Sequence, residues 1–333
     1  MKTLSKVIII FIIFIAVSTV SIYFYAKSQL FSPISNNNNE FVFEVKDGQG
    51  VMEIVDNLEK EGFVKNKWIT VGYLKFKNMD KSLKAGTFLL SKNLTPVQVL
   101  DIISSGKNAL KKVTIVEGWT LEEVADYLDK RSIVQREDFL IAVNVKKWNY
   151  DFLNGAKSLE GFLFPDTYYI SYKADVSEII KKMLDNFDKK LTSQTREDIK
   201  KKNMSIFDVI TLASVVEKEV SKEEDRKTVA GLLLKRIFLG KPLEVDSTIN
   251  YITGKDNPQP SFADTRSQSE YNTYLNKGLP PGPICSPSIS SINASIYPKE
   301  TSFLYYLNRQ DTKETIFSQT YEEHLQNKYK YLK

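Results

Sequence analysis

The chain has 333 residues, 42% hydrophobic and 26% charged, with a formal net charge of +5, enough for a sizeable core and two domains. One cysteine, Cys285, excludes an intramolecular disulfide and a cysteine zinc cluster; one histidine, His324, excludes multi-histidine metal sites and disfavours serine–histidine or cysteine–histidine catalysis. Lysine runs such as Lys200–Lys202 read as solvated faces, so no nucleic-acid partner and no cofactor is expected, and carboxylates become the expected acid–base groups.

Residues 7–26 carry no charge, and roughly 20 apolar residues span a bilayer core. Lys2 and Lys6 precede the run, Lys27 follows it, and Tyr23 and Tyr25 suit the far interface. The reading is a cytoplasmic N-terminus over 1–6, a single-pass anchor over 7–26 and an extracytoplasmic remainder. A cleaved signal peptide is the alternative. Residues 27–40, with four consecutive asparagines, form a polar linker.

Two segments then share a pattern at an offset of seventy residues: Val45–Leu58 and Ile115–Leu128. Each reads as a short strand, an acidic-Gly turn and an amphipathic helix. Val51, Ile54, Val55 and Leu58 match Leu121, Val124, Ala125 and Leu128 as apolar faces. The pattern resembles a LysM-like module, a fold that binds N-acetylglucosamine polymers; a generic packing unit is the alternative. Residues 41–130 are read as this LysM-like region. Within it, Lys84–Leu90 reads as a strand, and Thr95-Pro96 opens a helix ending near Gly106.

Residues 131–333 form the second region. Helical periodicity is found over 136–145, 175–191, 194–202, 205–220 and 222–239. In 205–220, Ser205 and Asp208 suit a capping box. Ile206, Val209, Ile210, Ala213, Val216 and Val220 gather on one stripe, and Glu217 falls inside it. A carboxyl group there loses hydration and suits a general acid; a boundary glutamate paired with Lys or Arg is the alternative. Glu219 is expected on the opposite, solvated side.

Leu159–Tyr168 is an apolar loop in which Glu160 and Asp166 could face a sugar, or Asp166 could cap a turn. Residues 240–285 read as loops and hold Asp246, Thr248 and Tyr251, the set Tyr271, Asn272, Thr273 and Tyr274, and the stiff run Gly278–Ile284. Such polar-aromatic residues beside rigid loops could wall a polysaccharide groove. Phe303–Leu307 reads as a strand and 319–331 as a helix. The fold class is α+β: a transmembrane helix, LysM-like strand–helix units, then a mixed helical and strand catalytic domain.

Taken together, Leu159–Tyr168, Leu212–Glu219, the Asp246/Thr248/Tyr251 pattern and Tyr271 through Ile284 resemble the YceG-like family of endolytic murein transglycosylases (MltG). The resemblance is strongest over 159–298. It implies a catalytic role for Glu217 and places Arg226 as the arginine after that helix. It also implies cleavage of the MurNAc–GlcNAc bond to 1,6-anhydroMurNAc ends, with peptidoglycan strands as substrate and peptidoglycan synthases as partners. Ser247, Ser286, Ser288 and Lys235 depart from the family pattern, which bears on loop geometry and substrate preference. A non-catalytic, membrane-tethered glycan-binding protein and a cell-wall synthase scaffold are the competing classes.

Overall fold

The computed structural model describes residues 2–36, 38–106, 109–144, 148–171, 174–220, 222–255, 259–309 and 311–332. Side chains of residues 1–8, Lys2 and Lys6 among them, lie outside the description, as does residue 145 of the predicted 136–145 helix. Contacts divide the chain into two units: Met1–Lys112 with Tyr169–Lys173, and Val113–Tyr168 with Ala174–Lys333. The second sequence copy, from Ile115, therefore falls in the second unit.

The first unit begins with α1 (Lys2–Phe31), longer than the expected anchor. Its segment Ile9–Phe31 has a mean hydropathy of 2.4 and is long and apolar enough to cross a membrane. Strand β1 (Glu40–Val45), α2 (Val51–Lys60), α3 (Lys67–Phe76), β2 (Gly86–Ser91), α4 (Pro96–Ser105) and β3 (Ala109–Thr114) follow. β4 (Thr167–Ser171) returns to the same sheet, whose order is β1-β2-β3-β4. β1 and β2 are antiparallel, registered from Glu40 opposite Ser91 to Val45 opposite Gly86. Alternation turns Phe43, Val45, Phe88 and Leu90 inward onto Val55, Leu58, Leu74 and Leu100. Sequence reading passed over α3, which Asn66 caps by accepting from the Ile69 N–H. α4 follows its signals: Thr95 and Gln98 close a capping box, Pro96 opens the helix, and Gly106 ends it in the left-handed region.

The second unit holds α5 (Leu121–Lys130), α6 (Arg136–Asn144), α7 (Val176–Lys190), α8 (Ser193–Lys201), α9 (Ile206–Glu219), α10 (Glu223–Phe238), α11 (Asp246–Thr253), α12 (Ile289–Ile296), the hairpin β5 (Tyr305–Asn308) and β6 (Thr315–Ser318), and α13 (Tyr321–Tyr331). The two sequence copies thus begin two β-α-α-β runs along the chain, β1-α2-α3-β2 and β3-α5-α6-β4.

Helix α9 is the centre of this unit. The Ser205–Asp208 capping box forms as expected. α8, α10, α11 and α12 pack on it, and every residue from Val209 to Val216 is buried. A helix covered on all sides has no solvated face, so the expected solvent position of Glu219 is corrected below. Within the stretch read as loops, α11 is a correction too. Its eight residues end at Gly254 in the left-handed region, a C-terminal signal that the surrounding Gly, Pro, Asn and Ser obscured.

Candidate active site

Glu217 occupies the last turn of α9, and three donors hold its carboxylate. Oε1 accepts from Arg226 Nη2 at 3.0 Å. Oε2 accepts from the Ser288 backbone N–H at 2.9 Å and from the Ser288 hydroxyl. Arg226 Nη1 also donates to Ser288 Oγ, at 2.8 Å. The ion pair is largely buried, the Glu217 and Arg226 side chains being 7% and 11% exposed. A boundary glutamate paired with Lys or Arg is the alternative the sequence leaves open, and the structure shows the pair with Arg226.

Ser288 is the N-cap of α12, its hydroxyl accepting from the Ser291 N–H. Its single donor and its acceptor capacity are thereby spent, and Glu217 sits where the α12 dipole is positive. The approach to Ser288 is fixed from the other side: the Gly118 N–H donates to Ser286 O, and the Ser286 N–H to Trp119 O, each at 2.8 Å. A side chain at Gly118, whose φ is +79°, would lie 3.8 Å from Glu217 Cγ. Four carboxylate acceptor positions and three donors leave one on Oε1 open. Sequence reading named Ser288 only as a departure from pattern; contact across 71 residues has no local signature.

A cleft of about 1780 Å³ lies in the same unit, lined by Glu160, Asp246, Tyr251, Tyr271 and Tyr274, and by Lys218 and Glu219 of α9. Glu217 is not part of its lining. Two residues turn a helix by about 200°, so Glu217 and Glu219 face opposite ways. Three phenol–carboxyl pairs mark the cleft wall. Tyr306 donates to Glu219 Oε2 at 2.8 Å, and the Ser247 N–H to Oε1 at 3.1 Å. Tyr274 donates to Asp246, and the Tyr251 hydroxyl lies beside the Glu160 carboxyl. Burial pushes all three carboxyls up, Glu160 to about 8. The Leu121 N–H lies 3.2 Å from each Glu160 oxygen. The Tyr251 and Tyr271 rings meet at 5.1 Å.

Other sequence candidates sit in the framework. Thr248 and Thr273 are buried, with hydroxyls 2.9 Å apart. Asn272 is fully buried: its amide donates to Thr265 O and Ser267 O, and its carbonyl accepts from the Tyr274 N–H. Asp166 is exposed and outside the cleft lining. It accepts from the Thr167 N–H at 2.7 Å and from Asn186 at 3.0 Å, which is the turn-capping alternative. Gly161, at φ +83°, lies under Pro283, so the loops 159–164 and 278–284 meet there. Among the described residues, no three His, Cys, Asp or Glu side chains gather as metal ligands.

The profile of the YceG-like family matches residues 43–330. The chain is 33% identical, over 96% of its length, to the endolytic murein transglycosylase of Streptococcus pneumoniae serotype 2 strain D39, and spans 64% of that relative's length. It is 29% identical, over 93% of its length, to the endolytic murein transglycosylase of Bacillus subtilis strain 168, covering 90% of that protein. A crystal structure of a yceG-like protein from Listeria monocytogenes superposes with a TM-score of 0.62 at 30% identity, covering 86% of this chain and 98% of that one.

Proposed function

The chain belongs to the YceG-like family, and on that premise we propose that it is an endolytic murein transglycosylase in which Glu217 acts first as acid and then as base. The observation that carries this reading is the Glu217 carboxyl group: largely buried, held by Arg226 and Ser288, with one Oε1 position open. Protonated Glu217 donates to the oxygen of the MurNAc–GlcNAc β-1,4 bond as the bond from the muramyl anomeric carbon to that oxygen breaks. The departing strand leaves with a new GlcNAc 4-hydroxyl. The Glu217 carboxylate then takes the proton of the muramyl C6 hydroxyl while that oxygen bonds to the anomeric carbon. A 1,6-anhydroMurNAc end results, Glu217 is protonated again, and no water is consumed. Arg226 and Ser288 fix the carboxyl group, so little reorganisation accompanies the charge change.

Tyr251, Tyr271 and Tyr274, beside Glu160 and Asp246, line the cleft on the Glu219 side of α9, so on this reading they hold glycan away from the bond at Glu217. The strand–helix units after α1 add LysM-like contacts to glycan, α1 anchors the chain in the cytoplasmic membrane, and the remainder works outside it. Mass spectrometry of purified sacculi after incubation tests the reaction: wild type should create internal 1,6-anhydroMurNAc ends and Glu217→Gln should not. Glu160, protonated to about pH 8 in the cleft, favours one second reading, a hydrolase working there. Reducing ends that persist in Glu217→Gln and vanish in Glu160→Gln would replace the first reading with that one.

A further inference from the structure

We infer that the exposed face of α3 is a membrane-docking surface, its aromatic side chains and lysines lying against the anionic headgroups of the bilayer that α1 enters. The inference rests on α1 as the anchor, and begins from charge. Residues 40–61 hold seven acidic residues and two lysines, whereas residues 65–84 hold six lysines and one acid, Asp80. The first unit is therefore acidic along β1 and α2 and basic along α3 and the loop after it. Lys67 is engaged with Asp56 at 2.6 Å, and Lys84 with Ser105 O at 3.2 Å. Lys65, Lys75, Lys77 and Lys81 are exposed, and among the described residues their ammonium groups make no hydrogen bond or ion pair. An anionic lipid surface supplies the charge that these lysines lack.

The outer side of α3 is not simply solvated. Its inner side, Thr70, Val71 and Leu74, is buried. On the outer side Trp68 and Phe76 are 66% and 81% exposed. They stand about two turns apart on one stripe, with Gly72 and Lys75 between them. Nothing lies within 4 Å of a side chain at Gly72, so the stripe is open. Tryptophan beside lysine is the pairing that suits a headgroup layer, where the ring is half-sheltered and the cation meets phosphate. The height of α3 above the bilayer follows from α1. Leu30 is buried, and the Phe31 ring meets Tyr73 of α3. The uncharged run closes at Ala26, and the five residues from there to Phe31 rise about 7.5 Å. The headgroup layer on each side of the core is about 5–8 Å deep. Tyr73 thus stands at headgroup depth, and Phe76, three residues on, is its neighbour on the helix surface. Because α1 already tethers the unit, the contact acts at high effective concentration and need not be strong. The helix α1 anchors, and α3 sets which side of the first unit faces lipid.

The test uses the full chain reconstituted in vesicles of phosphatidylcholine, alone or mixed with phosphatidylglycerol, with and without lipid brominated high on the acyl chain. Trp68, Trp119 and Trp148 are the three tryptophans, so Trp68→Phe isolates the Trp68 signal by difference. Bromolipid should quench that signal in the anionic vesicles. Each lysine removed should lower the ratio of docked to undocked chain about fivefold. The combined variant Lys65→Gln, Lys75→Gln, Lys77→Gln should therefore lose the quenching, as should wild type in phosphatidylcholine alone or in high salt. Phe76→Ser should weaken it. These positions are exposed, so thermal melts should match wild type and separate a lost contact from a folding defect. An unquenched Trp68 in a chain that resists carbonate extraction overturns this inference alone. So does quenching that is equal in both lipids and unmoved by the lysine variant, which the tether by itself would give. A chain stripped from the vesicles by carbonate fails the anchor reading, and this inference with it. Trp68 that is unquenched by bromolipid but shielded from acrylamide by soluble peptidoglycan strands would make the face a glycan-stacking surface instead.

Discussion

Glu217 and Glu219 show how two residues of spacing decide what a carboxyl group can do. Glu217 meets an arginine and a helix N-terminus, while Glu219 meets Tyr306 and the Ser247 N–H. Losing a general acid–base group costs about 10²–10⁴ in rate, so Glu217→Gln should lose at least that in anhydro-end formation, and, because Gln keeps one of the two oxygens that Arg226 and Ser288 share, it should also lose about 1–3 kcal/mol in urea unfolding. Glu219→Ala strips the Tyr306 hydroxyl and the Ser247 N–H of their acceptor. It should cost about 1–3 kcal/mol in urea unfolding, with Glu219→Gln milder because one oxygen remains. Glu160 gives a pH dependence. Its folded value of about 8 lies above the ordinary 4.5, so the folded state keeps a proton that the unfolded chain releases. The stability present below about pH 4.5 should therefore be lost as pH rises towards 8, by of the order of a few kcal/mol. Glu160→Gln should flatten that slope, and urea midpoints at pH 5 and pH 8 would show it.

At the scale of elements, the sequence was most legible where a helix carried its own punctuation. Thr95-Pro96 with Gly106, and Ser205 with Asp208, marked helices that form with those caps. The burial of Glu217 on α9 follows from the apolar spacing around it. The error at Glu219 came from treating α9 as amphipathic when α10, α11 and α12 cover it on several sides, and nothing within sixteen residues announces that. Arg226 is named by resemblance, but Ser288 and Gly118 reach the site across 71 and 99 residues. Close packing between elements also sets a test. A side chain on Gly231 of α10 would stand 2.0 Å from the Lys299 carbonyl oxygen, and that segment is tied to α10 by the Lys299 N–H on Lys227 O. Gly231→Ala should therefore destabilise by about 2 kcal/mol or more despite its better helix propensity. A thermal melt showing equal or higher stability would mean the 299 segment is free to move away.

For the whole molecule, the chain order and the folded units do not coincide. The first unit is completed by Tyr169–Lys173, so a fragment ending at residue 130 lacks β4 and leaves β3 as an exposed edge. The other whole-molecule feature is α1. Ile9 to Tyr25 present exposed apolar side chains, and the 23 residues of Ile9–Phe31 rise about 35 Å as a helix, enough for a hydrocarbon core of about 30 Å. At its far end the helix is no longer free: Leu30 is buried, and the Phe31 ring meets Tyr73 of α3 edge-on at 6.2 Å. As the anchor proposed above, α1 would hold the first unit near the bilayer surface. The full chain should therefore sediment with membranes and resist carbonate extraction, whereas a chain beginning at residue 32 should stay in solution and keep its activity on purified sacculi. Protease added to intact protoplasts should remove the region after α1 and spare the N-terminal helix. Recovery from cells of a mature protein lacking residues 1–26 would show a cleaved leader instead, and protection of the C-terminal region would reverse the orientation.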